Sequence, residues 1–331
     1  MSRLQPTRSP VALGGVLAAI TVAFAAMSQF MPLFFGLIAP LPIAVAVLLV
    51  SVRFAILVTV VASILIGILL GGPLAGISFA CQSALMGIIG GALIKQRRPY
   101  GSVFIFVTLA QAGGMALYLL IQLAVMGFDI TAFTQTFFTM EEDMIASAES
   151  LGVFNTIAQT SGIAALEAEE TFRHTTHLFM QMIPGIYTVL FALMTALHLW
   201  ILQWVCKRMN ITPNLQSPDM KSVIMPTWVL VPVLGAWIAL LANRYIDIHL
   251  LWIVAVNVMV IGAACMVVEG FSYTIAKLRF SEATPLMKLL YIMLAFFMGI
   301  YLFVVLAVFG VFDCISDFRH LRITKKGAKS I

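Results

Sequence analysis

Apolar and small residues run almost without interruption from Ala12 to Ile94, where Arg53 is the one charged side chain. Hydrocarbon surface on every side of a helix is what a bilayer accepts and what a soluble fold cannot cover. Breaks at Met31-Pro32, Ser51-Val52-Arg53 and Gly71-Gly72-Pro73 divide the stretch into four membrane helices, about 11–31, 33–51, 54–72 and 73–94. A fifth is predicted over about 102–127 and a sixth over about 178–205, with a polar interval, 128–177, between them. After a second polar interval, 206–224, the apolar runs 226–242, 248–274 and 285–312 follow. The pattern predicts an all-α polytopic membrane protein of eight or nine transmembrane segments. Its organisation is a six-helix module (1–205), a cytoplasmic linker (206–224), C-terminal transmembrane segments (225–312) and a basic tail (313–331).

The last apolar run is long for one span and short for two at about 20 residues each. It either crosses once or bends near Gly299 and returns.

Composition agrees with the pattern, since 62% of the 331 residues are hydrophobic and 10% charged, far from the soluble balance. A secretory signal peptide is not expected, because the first segment is too long for one and another span follows at once. The net charge of +5 reports topology here, not nucleic-acid binding. Arg3 and Arg8 precede the first helix, Arg53 follows the second, and Lys95, Arg97 and Arg98 follow the fourth. The positive-inside rule thus places the N-terminus in the cytoplasm of a plasma (inner) membrane protein. The 128–177 interval carries Asp129, Glu141, Glu142, Asp143, Glu149, Glu167, Glu169 and Glu170 against a single Arg173, so it belongs outside. Phe133, Phe137, Met140 and Met144 there predict short amphipathic helices lying against the bilayer or the bundle. The simple count would leave the tail cations Arg319, Arg322, Lys325, Lys326 and Lys329 outside, and a bend at Gly299 returns them to the cytoplasm. Cys81, Cys206, Cys265 and Cys314 show neither disulfide nor zinc spacing and read as small core residues.

An Ala/Gly-rich first helix, Pro40-Leu41-Pro42 in the second, a Gly-Gly-Pro turn, a Gly-rich fourth helix and a basic loop come in that order. In this the first six helices resemble the S components of energy-coupling-factor vitamin transporters, six-helix substrate-binding subunits with both termini inside. The chain as a whole resembles the YybS-like family of uncharacterised membrane proteins, through Gly310-Val311-Phe312-Asp313 followed by Asp317-Phe318-Arg319. The resemblance implies a solute site within the first six helices and a membrane scaffold subunit as partner. It carries no reaction and no ligand. The chain departs from S components in its three later segments. It also lacks the N-terminal histidine of nickel and cobalt members, which speaks against metal uptake of that type.

Gly15, Ala19 and Ala23 form a small-residue face on the first helix, and Ser83, Gly87 and Gly91 one on the fourth. Such faces let membrane helices approach closely, within the chain or against a partner; the resemblance implies a partner for the first. Polar side chains at membrane depth are Gln82, Gln111, Gln122, His198, Gln203 and Asn257, with Glu269 near a helix end. The candidate substrate-binding set is Gln82, Gln111, Gln122, His198, Asn257 and Glu269, with Gln111 and Asn257 nearest mid-span. An ionisable group at this depth faces the interior or a wet cavity. Glu269 can bind a cationic group, relay a proton, or pair with Arg53, Lys277 or Arg279. Glu170, His174 and His177 share a helical face, and two imidazoles with a carboxylate can hold a metal or sense pH. A solvated rim is the plainer reading, and no metal is assigned.

P-loop, GxSxG and dinucleotide fingerprints are absent. No enzyme activity, no cofactor and no catalytic residue is expected. The partners expected are the lipid bilayer and either a scaffold subunit or a small solute. Two functions remain: a transporter-type solute binder, or a non-transporting scaffold or regulator acting through its acidic loop and basic tail. An enclosed polar cavity would mark the first and a fully packed bundle the second.

Overall fold

The computed structural model describes residues 10–209, 211, 215, 217–278 and 284–319, apart from the side chains of 10, 33, 133, 137, 292 and 300. Its elements are helices, and no strand occurs among the described residues. Arg3, Arg8, Arg279, the tail cations from Arg322 to Lys329, and the side chains of Phe133 and Phe137 lie outside them. Six of the described helices are long and apolar enough to cross a bilayer; a bent C-terminal pair is a seventh, and two shorter apolar helices precede them. Each of the nine apolar segments of the sequence is therefore helical. The chain forms two compact units, Met1–Met140 with Leu190–Ser217, and Glu141–Val189 with Pro218–Ile331. This differs from a division at the 206–224 interval.

The first unit contains α1 (Pro10–Met27), α2 (Pro32–Ile38), α3 (Leu41–Leu49), α4 (Val52–Leu69), α5 (Pro73–Phe79), α6 (Leu85–Lys95), α7 (Tyr100–Val125) and the last turns of α10 (Ala165–Arg208). Proline sets the starts of α2 and α5, where a missing N–H costs nothing. Ser51 begins α4, its hydroxyl accepting from the Phe54 N–H at 3.2 Å. Gly71 and Gly72 turn the chain with φ of 117° and 97°, which other residues rarely adopt. Lys95 ends α6 by donating to the Val47 and Val50 carbonyls, both at 2.9 Å, at the end of α3.

Small residues set the helix spacing. A Cβ on Gly91 would lie 2.9 Å from the Ala44 carbonyl oxygen, and one on Gly87 2.5 Å from that of Pro40. The Gly87–Gly91 face is thus packed internally on α3. Between α5 and α6 the π-turn Ala80–Ala84 lies against Gly114 of α7, where a Cβ would fall 1.8 Å from the Cys81 oxygen. The core around Ile43, Val47, Ala62, Val107, Leu199 and Leu202 lies inside these helices.

The second unit begins at Glu141, within α8 and the acidic interval, which is more ordered than the sequence suggests. α8 (Ile130–Ser150), α9 (Val153–Ser161) and the start of α10 form a helical cluster with its own apolar core of Ile145, Ala148, Phe154 and Ala168. Phe154 meets Phe172 edge-on at 5.4 Å. α10 runs unbroken for 44 residues, about 66 Å at 1.5 Å per residue, so the sixth segment starts well before residue 178.

The remaining helices of this unit are α11 (Leu230–Ile246), α12 (His249–Lys277), α13 (Pro285–Met298) and α14 (Ile300–Ser316). α13 and α14 meet at 107° across Gly299, whose φ of 51° and ψ of −127° suit glycine alone. The last apolar run therefore bends where the sequence allowed it to. α12 and α14 cross at backbone contact: a Cβ on Gly270 would sit 1.8 Å from the Leu306 oxygen, and one on Gly310 1.9 Å from that of Met266. Gly310 meets Met266 and Gly270, Phe309 and Phe318 both meet Tyr273, and Arg319, beyond the end of α14, meets Ser272 and Glu269. The start of the tail is thereby fixed beside Glu269 and Ser272 of α12.

Candidate functional site

Glu269, on α12, is fully buried, and its partner is Arg319. Arg53, Lys277 and Arg279, the partners expected from sequence, are not the ones found: Lys277 lies over the Tyr273 ring at 5.8 Å, Arg53 belongs to the other unit, and Arg279 is outside the described residues. The Arg319 side chain is 6% exposed. Its Nε donates to Asp313 Oδ2 (2.9 Å) and Nη1 to the Lys221 carbonyl (3.0 Å) and Ser272 Oγ (2.6 Å). Nη2 donates to the Val223 carbonyl (3.0 Å) and Glu269 Oε1 (3.1 Å), and lies 2.7 Å from Asp313 Oδ2. A guanidinium has five N–H groups in a planar fork, and all five are engaged. The single hydroxyl proton of Ser272 is shared between the Met220 and Val223 carbonyls, and the Met225 N–H donates to Glu269.

Thus the 218–225 segment, read from sequence as a plain linker, is tied to α12 and α14 by buried, charge-assisted bonds. Charges so far from water persist only when paired and hydrogen-bonded. With its donors spent, this cluster is a lock between elements rather than a receptor for a solute.

Asn257 does a similar task on α10. Pro184 lies inside that helix and removes a backbone donor. One residue on, the Gly185 N–H donates to Asn257 Oδ1, while Asn257 Nδ2 donates to the Gln181 and Ile253 carbonyls at 2.8 Å each. The amide of Asn257 thus holds both the acceptor and the donor flanking the proline. Gly185 permits the approach, because a Cβ there would be 3.0 Å from the Asn257 carbonyl oxygen. Gln181 also accepts from Trp252 Nε1 at 2.7 Å.

The other sequence candidates belong to the first unit. Gln82 donates to Ser78 at 3.0 Å within the π-turn region. Gln122 is half-buried in the last turns of α7. Gln111 is 5% exposed on the inner face of α7. His198 is fully buried on α10, with Nδ1 3.2 Å from the Leu37 carbonyl. A carbonyl only accepts, so Nδ1 carries the proton and Nε2 is a bare acceptor. Six buried polar atoms of this unit have no hydrogen-bond partner among the described residues: Thr59 Oγ1, Ser63 Oγ, Gln111 Oε1, Thr195 Oγ1, His198 Nε2 and Gln203 Nε2. Gly15, Ala19 and Ala23 are exposed on α1, while Leu17, Ala18, Thr21 and Val22 face the core.

Two surface grooves stand out, both apolar. One of about 440 Å³ lies between α4 and α5 and includes Ser63 and Gly76; one of about 380 Å³ lies among α12, α13 and α14. Neither is lined by Gln111 or Asn257. Glu170 and His174 are exposed, whereas His177 faces Glu141 and Gln181. Among the described residues no three His, Cys, Asp or Glu side chains gather to hold a metal.

Sequence reasoning missed Arg319 as the ion partner, Asp313, and the hydroxyls of Thr59, Ser63 and Thr195. The Gly310–Asp313–Arg319 spacing was visible, but only the fold turns it back onto α12.

A family model described as "Predicted membrane protein (DUF2232)" matches residues 16–314. The chain belongs to that family. No curated protein and no solved structure matches it. The family's description and the apolar helices agree on an integral membrane protein.

Proposed function

We propose that this is a non-enzymatic membrane protein of transporter type, whose first unit binds a small neutral solute among its interior polar side chains. The observation that supports this reading is the set of six buried polar atoms without partners. Each such atom costs about 1–3 kcal/mol, so together they rival the 5–15 kcal/mol by which a domain is typically stable. Water or solute is what ordinarily satisfies such groups. None of the six belongs to a charged group, and they include acceptors (Gln111 Oε1, His198 Nε2), hydroxyls and one amide donor. That inventory suits an uncharged molecule bearing both hydrogen-bond donors and acceptors, not a carboxylate or a metal ion. The likeness of the first six helices to S components points the same way. Native mass spectrometry of the detergent-purified chain tests it: a retained small molecule is expected on wild type and lost from Gln111→Leu. Bare wild-type protein, or equal retention by the variant, would overturn the reading.

A second reading, a scaffold or regulator, draws on a different observation. The acidic interval is a helical cluster with a core of its own, which offers a preformed exposed surface to a basic partner.

A further inference from the structure

At the polar end of α10, four side chains of the second unit form a single file. His177 Nδ1 lies 3.5 Å from Glu141 Oε2 on α8, and His177 Nε2 lies 3.0 Å from Gln181 Nε2. Gln181 Oε1 in turn accepts from Trp252 Nε1 on α12 at 2.7 Å. The ends of the file fix its polarity, because an ionised carboxylate only accepts and an indole N–H only donates. With His177 neutral, one arrangement satisfies every link. Trp252 donates to Gln181, the Gln181 amide N–H donates to bare Nε2, and Nδ1–H donates to Glu141.

We propose that this file is a proton-operated switch, in which protonation of His177 breaks the hydrogen bond between Gln181 and Trp252. A protonated imidazole donates from both nitrogens. Its Nε2–H would then face the amide N–H of Gln181, donor against donor. Turning the Gln181 amide over presents Oε1 to His177 but sets its NH₂ against the indole N–H of Trp252. Because Trp252 has no acceptor to offer, the conflict cannot be absorbed within the file and emerges at α12. Gln181 is also the residue whose carbonyl Asn257 holds beside Pro184, so the disturbance reaches α10 where its own ladder is weakest.

The proton has access, since the His177 side chain is 51% exposed, and histidine is the side chain that ordinarily changes charge between pH 5 and 8. The charged and titratable groups around it are Glu141 and Glu142 from α8, and Arg173 and His174 from its own helix. Arg173 is itself engaged by Glu169 and Glu142. On α12, His249 lies one turn before Trp252.

Tryptophan emission of the full-length protein in detergent, followed from pH 8 to pH 5, tests the proposal. Wild type is expected to show a sigmoidal shift that disappears in His177→Gln and in Trp252→Phe and survives in His174→Gln and His249→Gln. The remaining tryptophans, Trp200, Trp204, Trp228 and Trp237, supply the constant background. No shift in wild type, or the same shift in His177→Gln, would overturn it. Should Trp252→Phe fail to fold, the wild-type and His177→Gln comparison still decides, because the histidine is at the surface.

Discussion

An ammonium cannot replace the guanidinium at position 319. A lysine there brings three donors on one nitrogen and cannot span Asp313, Glu269, Ser272 and the Lys221 and Val223 carbonyls at once. Removing the charge altogether leaves two carboxylates buried against each other. Arg319→Leu should therefore destabilise the protein by about 3–5 kcal/mol, read as earlier thermal unfolding in detergent, with Arg319→Lys in between. Adding Glu269→Gln to Arg319→Leu should cost less than the sum of the single losses, because both act on one network. The first helix supplies a contrast between neighbours. Ala18 is 3% exposed and faces the core, and Ala19 beside it is exposed. Ala18→Leu should cost about 1–3 kcal/mol by overpacking, whereas Ala19→Leu should shift unfolding by no more than about 0.5 kcal/mol. Equal melting of the two variants would mean that the Gly15–Ala19–Ala23 face is buried after all. At this scale the sequence made polar residues at membrane depth easy to find but not their partners. Glu269 was legible as a charge needing compensation; that Arg319 supplies it depends on how the chain beyond α14 folds onto α12, and local sequence does not encode that.

Helix existence was legible for a simple reason. In a bilayer each backbone group must bond within its own segment, so a long apolar run is a helix whatever it packs on. Where the helices cross was partly legible, since Gly87 and Gly91 announced a close contact, but their neighbour on α3 did not announce itself. The acidic interval was read least well. Its helices are stabilised by the Ile145–Phe154–Ala168 core, contacts distant in sequence that no local apolar period displays, and α10 passes from this polar surface into its apolar part without a break. Pro184 within α10 gives this scale its own test. Asn257→Leu keeps the size of the side chain but leaves the Gly185 N–H and the Gln181 carbonyl without their partner. A loss of about 1–3 kcal/mol follows for groups so left. Hydrogen exchange at residues 181–188 should then speed up, while exchange in α4 stays as it was, because opening is confined to the weakened segment. Uniform acceleration throughout the chain would mean that Asn257 supports the whole fold and not this stretch of α10.

Across the whole molecule, the place where Arg319 is held bears on a conflict in the distribution of charge. A straight last span would carry the basic tail to the opposite face from Lys277 and against the positive-inside rule. After the bend at Gly299, Arg319 is held beside Glu269 and Ser272 of α12 and the 221–223 segment, towards the end of α12 that carries Lys277. Lys277 and Arg319 then lie towards the same end of this unit. Single-cysteine labelling in intact cells with a membrane-impermeant maleimide tests this arrangement. Ser150, Gln96 and Ser316 are exposed, whereas Cys81, Cys206 and Cys314 are buried and Cys265 is partly so, which keeps the background low. Ser150→Cys should react in whole cells; Gln96→Cys and Ser316→Cys should react only after the membrane is opened. Labelling of Gln96→Cys but not Ser150→Cys in whole cells would invert the orientation and leave the fold intact. Labelling of both Ser150→Cys and Ser316→Cys in whole cells would put the two ends of the second unit on the same side of the membrane, and the bend at Gly299 could not then account for the tail.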